Sequence, residues 1–139
     1  MTSIVVTFYS YKGGVGRTFA LANTAVTLSR WGYRTLCIDW DLDAPGLAFY
    51  LRAFQSTSPE RGLVDMIDEF ARGNQPNSLE YVVPIIVPDG RARLDLLPAG
   101  SGNDQYVRQA QELNWSDPNP RVAARHGPAD GDRCPPDLG

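Results

Sequence analysis

From Tyr9 to Thr18 the chain reads Tyr-Ser-Tyr-Lys-Gly-Gly-Val-Gly-Arg-Thr, which places two cations, three glycines and a hydroxyl where they could share one anion. Glycines at 13, 14 and 16 let successive backbone N–H groups converge on phosphate oxygens without side-chain obstruction. A helix start directly after them adds unpaired N–H groups and a dipole that favours negative charge. Thr18, following the basic Arg17, carries the hydroxyl suited to Mg²⁺ that bridges the β- and γ-phosphates of a nucleotide. The common pattern G-x-x-x-x-G-K-[ST] is not met, because Tyr11 and Arg17 stand where it wants Gly and Lys. A second chemical group follows at Asp39, Asp41 and Asp43, three alternating acids that end in Pro45-Gly46, a turn signal.

The elements around these residues set their positions. Residues 4–8 are β-branched and aromatic and predict a buried strand, residues 19–31 predict a helix apolar nearly all round, and Gly32 stops it. Residues 35–39 predict a second buried strand, so strand, crossover helix and strand form a βαβ unit with parallel pairing and a right-handed connection. The acids then lie at the carboxyl end of a strand, where open parallel sheets bind ligands. Residues 47–54 suit a short helix and 55–61 a loop; Leu63, Met66, Ile67 and Phe70 recur at helical spacing before Gly73. Residues 79–83 fit more than one state, 85–87 read as a strand, and 88–90 read as a turn leading into 93–97, which suggests a hairpin. Tyr106, Val107, Ala110 and Leu113 mark a last amphipathic helix with Ser101 or Asn103 as its cap. The fold class is α/β: the N-terminal part of a doubly wound, mainly parallel sheet.

Composition narrows the function. At 139 residues the chain is long enough for one globular domain with a core, and its net charge of −3 makes no electrostatic case for nucleic acid or an anionic membrane. Neither a signal peptide nor a run of about 20 apolar residues is evident, which predicts a cytoplasmic protein. Cys37 and Cys134 lack metal-ligand spacing and are expected as reduced thiols, Cys37 as a small core residue. Trp40 and Trp115 are expected to pack rather than stack on a base, and Asp43 is open between a site role and a helix cap. From Ser116 the composition changes: five of the eleven prolines fall in 116–139, where Val122 and Leu138 are the only large aliphatics, so this tail is expected to be disordered. His126 lies inside it and is expected to be a solvated bystander rather than a metal ligand or base. No internal repeat is present.

Lys12-Gly-Gly-Val-Gly-Arg-Thr18 resembles the deviant Walker A motif of the MinD/ParA class of P-loop ATPases, K-G-G-x-x-K-[ST], with Lys12 in the place of the signature lysine. The wider string from Phe8 to Thr18, with Asp39-Trp-Asp-Leu-Asp-Ala-Pro-Gly-Leu47, is similar to a bacterial branch in which arginine replaces the P-loop lysine. Leu94-Asp-Leu-Leu-Pro-Ala-Gly100 resembles the L-x-x-L-P-A strand end of MinD-type proteins, and the similarity extends to about Trp115. The resemblance implies ATP and Mg²⁺ as cofactors. Gly13, Gly14, Val15, Gly16, Arg17, Thr18 and Phe19 would form the nucleotide cradle, Thr18 would hold Mg²⁺, and Asp39 would support the metal shell. Asp41 would orient or activate water, and Lys12 would act across a homodimer that sandwiches ATP. The arginine at 17 grips phosphate through a planar fork of donors rather than a compact ammonium, which favours binding over turnover. No Fe–S cluster is expected, since neither cysteine has a suitable partner, and the Pro-rich tail cannot supply a MinD-type amphipathic membrane anchor.

The class also carries a later strand that ends in an acid before a Gly-containing switch, and no such run follows Trp115. The reading is therefore a C-terminally truncated domain over 1–115, with 116–139 a tail of the composition a frameshift produces in GC-rich DNA. Such a fragment is expected to expose an apolar sheet edge and to be marginally stable. Three functions follow: an ATP-dependent dimerising switch that hydrolyses ATP to ADP and phosphate, a nucleotide-binding module without turnover, or an inactive remnant. Pathway, cargo and protein partner are not specified by the sequence.

Overall fold

The structure, a computed structural model, describes residues 3–113. Helix α1 (Arg17–Arg30) is followed by strand β1 (Thr35–Ile38) and by α2 (Leu47–Leu51), which tightens into a 3₁₀ turn at Arg52–Phe54. Helix α3 (Leu63–Ala71), a second 3₁₀ turn (Ser78–Glu80), strands β2 (Val83–Ile85) and β3 (Leu94–Leu97), and α4 (Asp104–Glu112) complete it. The sheet is mixed and runs β1-β3-β2: β1 is parallel to β3 from Thr35 opposite Leu94 to Ile38 opposite Leu97, and β2 is antiparallel to β3 with Val83 opposite Leu96.

Central β3 buries leucines on both faces, with the half-buried Asp95, paired to Arg93, as its polar member. Leu94 and Leu96 pack on one face with Ala22 and Ala25 of α1, Cys37, Leu47 and Leu51. Leu97 points to the opposite face, as alternation requires, and joins Leu63 and Tyr81. Beyond the strand, Ala99 packs with Val64 and Tyr106, which ties α3 to α4. The carbonyls of Pro98 and Ala99 accept the first N–H groups of α3, from Leu63 at 2.8 Å and Val64 at 3.0 Å, so the end of β3 caps that helix. At α4 the Asn103 side chain accepts from the Tyr106 N–H at 2.9 Å.

The hairpin forms, but its first strand lies at Val83–Ile85 rather than 85–87. Pro84, which lacks an N–H, is accommodated because β2 is an edge strand. Two larger corrections concern the N-terminal unit. Residues 4–8 form no strand and expose their apolar side chains, Ile4 at 85% and Val5 at 89%. Strand composition cannot make a strand without a ladder, and β1 finds its parallel partner in β3 instead of in this segment. The other edge of β1 is unpaired in the described residues, and Leu36 and Ile38 are exposed beside it. Helix α1 is covered along one stripe, Ala22, Ala25 and Ser29, and not on most sides, because the strands beneath it span a single helix face. In α3, Val64 is buried while Phe70 turns outward. Trp40 is 62% exposed rather than packed, since it stands where β1 has ended and no described element covers it. Cys37 is buried as a core thiol. Trp115, His126, Cys134 and the expected tail over 116–139 lie outside the described residues.

Candidate functional site

The glycine-rich stretch becomes a turn that delivers the chain into α1. Gly14 and Gly16 take left-handed backbone conformations, φ 74° and 80°, which glycine adopts without the penalty an L side chain would meet. Gly16 is the N-cap of α1, and its carbonyl accepts from the Ala20 N–H at 2.9 Å. No side chain caps this end, so the first N–H groups of the helix remain directed at whatever occupies the turn. A Cβ built at Gly13, Gly14 or Gly16 would meet nothing within 4 Å. The glycines therefore face open space rather than packed neighbours, and packing does not explain them.

That space is a cavity of about 340 Å³ lined by Lys12, Gly13, Gly14, Val15, Gly16, Arg17, Thr18 and Phe19, with Ser10 and Tyr50 added to the expected set. Ser10 braces the turn by donating its hydroxyl to the Lys12 carbonyl at 2.9 Å. Tyr50 comes from α2 and meets Phe19 edge-to-face, ring centroids 6.1 Å apart. The sequence held half of this signal: Leu47 and Leu51, four apart, turn to the core and leave Tyr50 outward. Its position beside the phosphate turn depends on how α2 crosses α1, which no local pattern encodes.

The acids fall into distinct roles. Asp39 is 7% exposed, just past β1, where its own N–H donates to the Leu97 carbonyl at 2.9 Å. One carboxylate oxygen accepts from the Leu47 N–H at 3.0 Å and the other from the Asp41 N–H at 3.2 Å. Burial pushes its pKa above the usual carboxylate range, opposed by these backbone donors. Asp39 thus anchors the first residue of α2, and Asp43 is exposed and does not cap that helix, whose N-cap is Gly46. Asp41 reaches the phosphate turn: one oxygen accepts from the Arg17 guanidinium at 2.5 Å and the other from the Ala44 N–H at 3.2 Å. The structure therefore joins the two sequence-identified groups through Arg17 and Asp41. Tyr106, which sequence reading placed only on a helix face, donates its hydroxyl to the Leu42 carbonyl at 2.7 Å and holds the acidic segment from below. Burial raises its pKa, and the charges of Asp39, Asp41 and Asp43 add to the effect.

Thr18 is half-buried on the second residue of α1, and Lys12 is exposed at the rim of the turn. Among the described residues no three His, Cys, Asp or Glu side chains gather to hold an ion by themselves. The Thr18 hydroxyl, on the second residue of the helix that opens from the glycine turn, is an oxygen donor of the kind Mg²⁺ accepts. Among the described residues no helix is long and apolar enough to cross a membrane.

Neither a curated protein nor a solved structure matches the chain. A family model, described as the CobQ/CobB/MinD/ParA nucleotide binding domain, matches residues 6–113 and so takes in the phosphate turn, the acidic strand end and the β3 terminus. The chain belongs to this family of MinD/ParA-like, nucleotide-binding P-loop proteins.

Proposed function

We propose that the chain binds ATP with Mg²⁺ at the turn over 10–19, and that the domain works as an ATP-dependent dimerising switch that hydrolyses ATP to ADP and phosphate. The observation that carries this reading is the open backbone at Gly13, Gly14 and Gly16 in front of an uncapped helix N-terminus, with Arg17 and Thr18 as the first helical residues. In it, backbone N–H groups from Gly13 to Thr18 and Phe19 hold phosphate oxygens, Arg17 grips the β- and γ-phosphates, and Thr18 and Asp39 hold the metal and its shell. Asp41 orients water, and Lys12, exposed at the rim, reaches the nucleotide of a second copy. Residues 1–115 form the nucleotide-binding portion of this arrangement and 116–139 a separate tail. Mg²⁺ supplies charge neutralisation of the phosphates when bound.

A binding module without turnover is the second reading. It is favoured by the engagement of Asp41 with Arg17, since a carboxylate paired to a guanidinium is poorly placed to accept a proton from water. Calorimetric titration with Mg·ATP tests both: saturable binding lost in Lys12→Ala or Thr18→Ala supports the site, and no binding by the wild-type chain overturns it. Phosphate release by a binding-competent chain then supports the switch, and its absence leaves the binding module.

A further inference from the structure

The cation expected to grip phosphate is already occupied. The Arg17 guanidinium meets the Asp41 carboxylate at 2.5 Å, with both side chains about one-third exposed, 34% and 36%. Asp41 uses its other oxygen on the Ala44 N–H, so the pair connects the phosphate turn to the segment between β1 and α2. From this geometry we infer that Asp41 is a positioning residue, the ligand-free partner of Arg17, and that an incoming phosphate takes the guanidinium away from it.

The inference rests on the nucleotide-binding reading and adds a coupling to it. A phosphate and a carboxylate compete for the same planar set of donors, so seating the anion on Arg17 releases the Asp41 oxygen that held it. Segment 39–46 then loses its tie to α1 but keeps those to the core, through Asp39 to Leu47 and through the Leu42 carbonyl to Tyr106. Occupancy of the turn is thereby transmitted to Trp40, which adjoins Asp41 and is exposed. The exposure of the pair makes the competition reversible: an ion pair about one-third exposed is weak enough for a polyphosphate to displace it.

The test uses the full chain and metal-free inorganic pyrophosphate as probe. Asp41→Asn keeps the acceptor for Ala44 but removes the charge that holds Arg17, so it should bind pyrophosphate about fivefold more tightly than wild type. Asp41→Glu, which restores the charge, should return toward the wild-type value. With Trp31 and Trp115 changed to Phe, pyrophosphate should shift the Trp40 emission in the Asp41 chain and leave it unmoved in Asp41→Asn. Equal or weaker binding by Asp41→Asn, or an emission shift independent of Asp41, overturns the inference. A readout without ligand separates its failure from failure of the nucleotide site. Phenylglyoxal should modify Arg17 several-fold more slowly in wild type than in Asp41→Asn, located by peptide mass spectrometry, and equal rates overturn the pair whatever the chain binds.

Discussion

Placing a single methyl group at Gly13 and then at Gly16 separates what the turn needs for its own shape from what it needs for its ligand. Gly16 sits at φ 80° and ψ 17°, and a Cβ there meets nothing within 4 Å, so Gly16→Ala carries a conformational penalty and no clash. The left-handed region costs an L residue roughly 1–2 kcal/mol, a factor of about 5 to 30 in an equilibrium. The first turn of α1 can fray to relieve it, so the loss should be divided between stability and affinity. Gly13 lies outside the left-handed region and also has open space before it. In the ligand-free chain Gly13→Ala should therefore change stability by no more than about 0.5 kcal/mol, or raise it slightly by restricting the unfolded chain. If phosphate oxygens occupy that space, the same methyl should lower Mg·ATP affinity about tenfold or more, the scale of overpacking a close-fitting site. Urea denaturation followed by circular dichroism measures the first quantity and calorimetric titration the second. A Gly13→Ala chain that binds Mg·ATP as wild type does would refute the assignment of the phosphate seat to this backbone.

Other perturbations address the supports. Asp39→Ala removes the acceptors of two backbone N–H groups at Leu47 and Asp41 and should destabilise the fold by about 1–3 kcal/mol even without nucleotide, as seen by urea melts. Because burial raises the folded pKa of Asp39, stability from this group should fall as pH rises from the ordinary carboxylate range through the raised value, and Asp39→Ala should flatten that slope. Tyr106→Phe deletes the hydroxyl that donates to Leu42 and should cost about 1 kcal/mol while keeping the ring in its packed position. Cys37, its thiol pushed up to about 11 by burial, should resist Ellman's reagent at pH 8 in a Cys134→Ala background until the chain unfolds. The same raised value means that its contribution to stability is intact below pH 9 and disappears as pH rises through 11, an alkaline transition that Cys37→Ala should lack.

The legible parts of the fold were those written in local chemistry. Asn103 was one of two cap candidates and is the cap, residues 93–97 read as a strand, and the turn at 88–90 joined it to the strand before it as a hairpin. The glycine turn was legible for the same reason, since Gly13, Gly14 and Gly16 stand directly before a helical pattern, and the structure has them at the start of α1. What stayed hidden depended on partners distant in sequence. Residues 4–8 carry strand composition, yet among the described residues they join no ladder, because pairing is a property of two segments and composition belongs to one. Tyr50 and Tyr106 look like ordinary packing residues until α2 and α4 bring them to the phosphate turn and the acidic segment. The Arg17–Asp41 contact spans 24 positions, and neither residue type dictates it.

Among the described residues, 4–8 find no strand partner, and this bears directly on how the site is held. A phosphate turn fixed between a paired strand and a helix is restrained at both ends, whereas this one is restrained at its α1 end. There the anchors are Ala22 and Ala25 in the core and Ser29, whose hydroxyl donates to the Ala92 carbonyl at 2.6 Å while its own carbonyl accepts from Arg91 and Ala92. Among the described residues, the side-chain tie between the turn and the acidic segment is the Arg17–Asp41 pair. A charge-assisted hydrogen bond about one-third open to water holds two segments in register without locking them, and on the proposed reading it yields to the anion that the turn attracts. Of the three acids it is Asp41 that Arg17 holds; on the proposed reading an anion in the turn takes Arg17 from it and frees Asp41 for other partners.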